Sequence, residues 1–140
     1  VKTPHLLRVE EPPERFAALF AAVAALGLRV GWLELAAPAE PVPPRLAAAA
    51  SLGALRAVAV AESRSVVVKP HRGAAVLKDL LREHFRGCAL VLVHASVAAA
   101  PELPRLASTG EDWRVHPAGE SERTYTSERL AASLRQIRPW

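Results

Sequence analysis

The apolar positions change period along the chain, and each change predicts an element. Leu6, Leu7 and Val9 form a short extended run. After Glu10 and Glu11, Pro12 and Pro13 set up a helix start, with Glu14 placed favourably against the helix dipole. Phe16, Leu19, Phe20, Val23 and Leu26 then recur at helical spacing, and Gly27 is positioned to stop the helix. Leu28, Val30, Trp32, Leu33 and Leu35 predict the next strand. Strand, proline, helix, glycine and strand read as a βαβ unit.

The same order returns from Ser65 to Ala95. Val66, Val67 and Val68 are β-branched in a row, which suits a strand covered on both faces. Pro70 ends the ladder. Val76, Leu77, Leu80, Leu81 and Phe85 make one apolar stripe, with Lys78, Asp79, Arg82, Glu83 and Arg86 on the opposite face. The spacing predicts a helix over 74–86 with Gly87 at its C-cap, then a strand through Leu90, Val91, Leu92 and Val93. A stretch of about 30 residues with this pattern is the length of a second βαβ unit.

Between the two units, 36–44 holds four prolines and reads as an extended connection. Arg45 to Leu52 predicts a short Ala-rich helix stopped by Gly53. Leu55 to Ala61 alternates, and Glu62 to Arg64 turns into the Val66 strand as a hairpin. After Ala95 the pattern weakens, and 98–106, with Pro101 and Pro104, reads as a loop. Trp113 and Val115 predict a strand returning through 123–126. Thr126 or Ser127 caps a last helix with the stripe Leu130, Leu134 and Ile137. The terminal Trp140 reads as a docked plug.

These elements predict a single α/β domain over 1–140, with 36–44 as a Pro-rich connection and 107–140 as a C-terminal hairpin-plus-helix element. The expected architecture is a two-layer sandwich of two βαβ units plus a β-hairpin on a mixed sheet, an enlarged ferredoxin-like plait. A small doubly wound, Rossmann-like sheet is the alternative.

Composition narrows the classes. Half of the 140 residues are apolar and aromatics are few, so Ala, Val and Leu must fill the core. One cysteine excludes an internal disulfide and a multi-cysteine metal site. No apolar run reaches the ~18 residues of a membrane span, and the 16–26 run lacks a basic leader, so neither a span nor a signal peptide is expected. A cytoplasmic location is the expectation.

Three groups of residues carry candidate chemistry. Lys69, His71, Arg72 and Gly73 lie between a strand and a helix, where free N–H groups, the helix dipole and cationic side chains suit a phosphate or carboxylate. Their spacing matches neither a P-loop nor a dinucleotide fingerprint. If both βαβ units share one parallel sheet, their strand ends gather Glu10, Glu11, Glu34, Lys69, His71, His94 and Ser96, a set able to do acid–base work. Cys88 with His84 is a third pair, but Cys88 follows a helix C-terminus and enters an apolar strand, which favours a buried hydrophobe over a nucleophile. The five histidines are scattered without metal-ligand spacing, so no metal or cofactor is expected.

The net charge of +4 is mild. Arg105, Arg114, Arg123, Arg129, Arg135 and Arg138 make the C-terminal third basic, yet Glu102, Glu111, Asp112, Glu120, Glu122 and Glu128 are interleaved. The leading functional expectation is a non-catalytic binding or regulatory module with an anionic small-molecule site at 69–73. The alternatives are a small enzyme using His and carboxylate residues at the sheet's C-terminal edge, which requires a cleft gathering His71, His94 and a carboxylate, with Glu34, His94 and Ser96 as candidate edge residues, and a nucleic-acid-binding domain using the C-terminal arginines. The Ala-rich Ala17 to Leu26 helix and Trp140 motivate a homo-oligomer.

Overall fold

A computed structural model describes residues 3–35, 42–71 and 73–140. The chain divides into two compact units. The larger joins Val1–Ala37 to Leu80–Trp140, and the smaller is Pro38–Asp79.

In the larger unit, β1 (His5–Val9), β2 (Val30–Glu34), β5 (Leu90–His94), β6 (Arg105–Thr109), β7 (Asp112–His116) and β8 (Arg123–Tyr125) form one sheet in the order β2-β5-β1-β6-β7-β8. The first four in that order run parallel. β7 and β8 continue antiparallel. The fold is therefore mixed α/β.

Side chains alternate between the two faces of a strand. Leu7 and Val9 of β1 and Leu90 and Leu92 of β5 fall on one face, and α1 (Ala17–Ala25) and α4 (Ser127–Ser133) cover it, packed on each other. Phe16, Leu19 and Val23 are the spacing-3 and spacing-4 positions of α1 and its preceding turn, and all are fully buried. Leu106, Trp113, Val115 and Leu130 complete this core. Each such side chain contributes about 1.5–3 kcal/mol of burial. α1 ends in a Schellman motif, with Gly27 at φ 71, Leu28 N–H donating to Val23 O and Gly27 N–H to Ala24 O.

The other face of β5 is buried as well. Val91 and Val93 are fully buried, Leu81 of α3 (Leu77–His84) is buried, and Phe85 lies over Gly31. Coverage on both faces explains the unbroken apolar run of β5. α3 is shorter than the predicted 74–86, and Gly87, at φ 86, lies in the turn that follows it.

The smaller unit holds α2 (Pro44–Ser51) and the hairpin β3 (Ala57–Val60) and β4 (Ser65–Val68). α2 begins at Pro44, inside the expected 36–44 connection; 36–41 lie outside the described residues. The hairpin is a separate two-stranded sheet. This corrects two expectations: the hairpin is not on the mixed sheet, and Ser65 to Ala95 is not a βαβ unit. The turn bond from Ala61 N–H to Arg64 O at 2.8 Å closes β3 onto β4 in full register, so β4 finds its ladder locally. Val66 and Val67 are exposed. A β-branched run suits any pleated ladder and does not by itself require cover.

Two corrections concern the C-terminal part. Residues 98–104 are loop as expected, but Arg105 and Leu106, placed in that loop, instead open β6, which runs to Thr109. Leu106 is its sole strongly apolar residue, but pairing with β7 through the two-residue turn Gly110–Glu111, Gly110 at φ 63, supplies its ladder. The last helix is capped as expected, Thr126 Oγ1 accepting from Arg129 N–H at 3.2 Å, and it buries Leu130 and Leu134. It ends at Ser133, so Ile137 lies beyond it and is 88% exposed. Trp140 packs edge-on against His5 and on the core. No helix among the described residues is long and apolar enough to cross a membrane.

Candidate functional site

β2 and β5 lie side by side with Glu34 opposite His94, the last residue of each strand. Paired residues point to the same side of a sheet, so the carboxylate and the imidazole meet at the C-terminal edge, on the α1 face. His94 Nδ1 is 3.0 Å from Glu34 Oε2. Trp32, two residues before Glu34 and therefore on the same face, donates its indole N–H to Glu34 Oε1 at 2.8 Å. Its ring stacks on the imidazole with centroids 5.7 Å apart at 23°. Phe16 backs the indole at 5.9 Å. One carboxylate thus holds both rings, one on each oxygen.

A carboxylate only accepts hydrogen bonds, so the proton of this pair sits on His94 Nδ1. In the neutral ring the lone pair is then on Nε2, and no other bond to the ring is formed among the described residues. The His94 side chain is 31% exposed and that of Glu34 45%, so solvent reaches both. Such a dyad can take a proton at Nε2 and return it, while Glu34 steadies the imidazolium.

The other carboxylates at this edge are committed. Glu10 accepts from Arg8 Nη1 at 2.9 Å and pairs with Arg105 Nη2 at 3.0 Å. Glu11 accepts from Ser108 N–H at 3.1 Å and Ser108 Oγ at 2.7 Å, with Arg15 at 3.4 Å. Burial pushes the Glu11 carboxyl up, but the two Ser108 hydrogen bonds and Arg15 outweigh it and hold it below the ordinary value. Ser96 is exposed, and its carbonyl starts the turn after β5, accepting from Ala99 N–H at 3.2 Å.

Lys69, His71 and Gly73 belong to the smaller unit, because β4 is not in the large sheet. They therefore do not follow a strand of the sheet that holds Glu34 and His94. Arg72 lies outside the described residues. Gly73, at φ 75, precedes the first helical residue Leu77 by four positions, so the 69–73 loop does not itself present a helix N-terminus.

His84 Nε2 is 4.0 Å from Glu83, and its ring meets Phe85 edge-on. Burial pushes the Cys88 thiol up, with Arg29 opposing in part, which suits the hydrophobe reading. Of the C-terminal arginines, Arg105 pairs with Glu10, Arg123 with Glu120, and Arg135 donates to Leu26 O. Among the described residues no group of three or more His, Cys, Asp or Glu is gathered as for a metal ion.

Sequence reasoning missed Trp32, reading it as an apolar strand position. The spacing Trp32-x-Glu34 on a strand was the available signal, since residues two apart share a face. Compared with protein-family models and with curated proteins, the chain matches none.

Proposed function

We propose that this chain acts on a small polar molecule at the C-terminal edge of its parallel strands, with His94 Nε2 as the atom that exchanges a proton. The carrying observation is the Glu34 carboxylate held between the Trp32 indole and the His94 ring. It fixes the ring orientation and the tautomer, the two properties a general base needs before its substrate arrives. The position agrees, because ligands of open α/β sheets bind outside the C-terminal ends of the strands. The four adjacent parallel strands, with α1 on one face and Phe85 on the other, support a small doubly wound, Rossmann-like reading over the ferredoxin-like plait.

The second reading, a non-catalytic binding module, uses the same atoms for recognition: Nε2 as an acceptor and Trp32 as a wall. The half-exposed Glu34 favours it, since a second ligand donor can reach that carboxylate.

One experiment separates the two. A panel of esters and carbonyl compounds is incubated with the protein in D2O and followed by NMR for hydrolysis and deuterium uptake. On the catalytic reading one class reacts, and His94→Gln lowers its rate by about 10²–10⁴. Ligand-dependent shifts of the Trp32 indole without turnover select the binding module. If neither appears across the panel, or if His94→Gln reacts as fast as the parent, the site is not this one.

A further inference from the structure

On the opposite face of the same sheet, across β1, β6 and β7, the register gathers basic side chains. Arg8 pairs with Arg105, Arg105 with His116, and Ala107 with Arg114. All point away from the core face that carries Leu7, Leu106 and Val115. They line a cleft of about 250 Å³. Ala107 keeps the cleft open where a larger side chain would fill it, and Pro101 and Leu103 add an apolar wall.

We propose that this cleft binds a small oxyanion of the phosphate-monoester type. Like charges opposite each other on adjacent strands destabilise a sheet, so an Arg8–Arg105 pair calls for an anion. Glu10 supplies one, bridging both guanidinium groups at 2.9 and 3.0 Å. Arg114 donates from Nη2 to Thr109 Oγ1 at 3.2 Å, and its nearest carboxylate, Glu122, is 4.0 Å from Nε, with both side chains about half exposed. Among the described residues, three guanidinium groups thus meet two carboxylates in and beside the cleft, an excess of one positive charge.

Arg8 is only 5% exposed, so its charge lies beneath the cleft in poorly solvated surroundings, where an anion is attracted more strongly than at an open surface. Guanidinium groups on separate strands can each offer paired N–H donors, a geometry that suits phosphate oxygens. The volume is below the ~300 Å³ at which drug-sized pockets begin, so the ligand is a phosphate with a short apolar body seated against Pro101 and Leu103.

The test is a titration of the 140-residue chain with inorganic phosphate and with phenyl phosphate at constant ionic strength, chloride balancing, followed by backbone amide NMR. Saturable shifts confined to β6, β7 and the 117–122 turn are expected, with phenyl phosphate the tighter ligand. Arg114→Ala should weaken binding about tenfold, and Arg114→Lys should restore only part of it. Glu122→Gln, which removes the competing carboxylate, should tighten it. Because these variants move affinity in opposite directions, a folding defect cannot imitate the pattern. The proposal is overturned if no saturable shift appears by about 10 mM, if Arg114→Ala binds as tightly as the parent, or if the shifts fall on the 69–73 loop instead.

Discussion

Replacing Gly31 by alanine tests how β2 is covered on the face away from α1. A methyl group there would stand 2.8 Å from Phe85 Cε1 and 3.3 Å from Cys88 Sγ. Carbon atoms prefer about 3.5–4.0 Å, so the Phe85 ring must move by close to an ångström. Overpacking of this kind costs about 1–3 kcal/mol. Opposing it, Gly→Ala restricts the unfolded chain and stabilises by about 0.4–1 kcal/mol wherever the backbone accepts it. Gly31 is not among the positive-φ glycines, so that gain applies. The net expectation is a loss of about 1–2 kcal/mol. Urea unfolding followed by tryptophan fluorescence measures it, and Trp32, Trp113 and Trp140 all report on the larger unit. In a Phe85→Leu background the same change should become neutral or stabilising, because the coupling lies between these two positions. If Gly31→Ala stabilises the parent chain by the full entropic amount, Phe85 does not occupy that space and the second covered face of the sheet is wrong.

Four further outcomes are expected. Trp113→Phe should cost about 1–3 kcal/mol in urea unfolding, because the indole N–H donates to the Ser127 hydroxyl at 2.8 Å inside the core and that hydroxyl would lose its partner. Glu11 has a folded pKa below its ordinary 4.5, so its contribution is present above that value and lost as pH falls through the lower folded pKa. Ser108→Ala should therefore shrink the drop in urea midpoint between pH about 7 and about 3. Cys88, pushed up by burial, should alkylate more slowly than a free thiol at pH about 8, and Arg29→Ala, which removes the opposing charge, should slow it further in a mass-spectrometric time course. Val60 is 80% exposed, so Val60→Thr should change stability by less than about 0.5 kcal/mol, read by amide hydrogen exchange of β3 and β4 in the smaller unit.

The elements with strong local periodicity were readable from residue order alone. The Phe16, Leu19, Val23 stripe and the Thr126 cap needed only neighbours a turn away. What escaped is set by partners distant in sequence. β4 and β5 look alike as apolar runs, yet one is exposed in a hairpin and the other buried on both faces. β6 has almost no apolar signal and exists because β7 folds back on it. Glu34 and His94 were named as edge residues, and the structure does bring them together, although 60 positions separate them. Lys69 and His71 are not strand ends of that sheet, because β4 pairs only with β3 in a separate one. The basic cleft was illegible for a similar reason. Arg8, Arg105 and Arg114 become neighbours only through the β1–β6–β7 register.

The strand order has a consequence for how the protein is made. β5 sits between β2 and β1, and every ladder partner of β1 and β2 follows them in the chain. A ribosome that has finished Glu34 must add the 60 residues to His94 before the ladder can close, about 3–12 s at ordinary translation rates. During that interval β1 and β2 are unpaired edges on a nascent chain, a state open to wrong pairing. The hairpin β3–β4 has no such wait, since its ladder spans one short turn and can form as soon as Val68 has emerged. Synthesis thus completes the smaller unit first, and the late arrival of β5 is the event that converts the N-terminal third from exposed strands into a sheet.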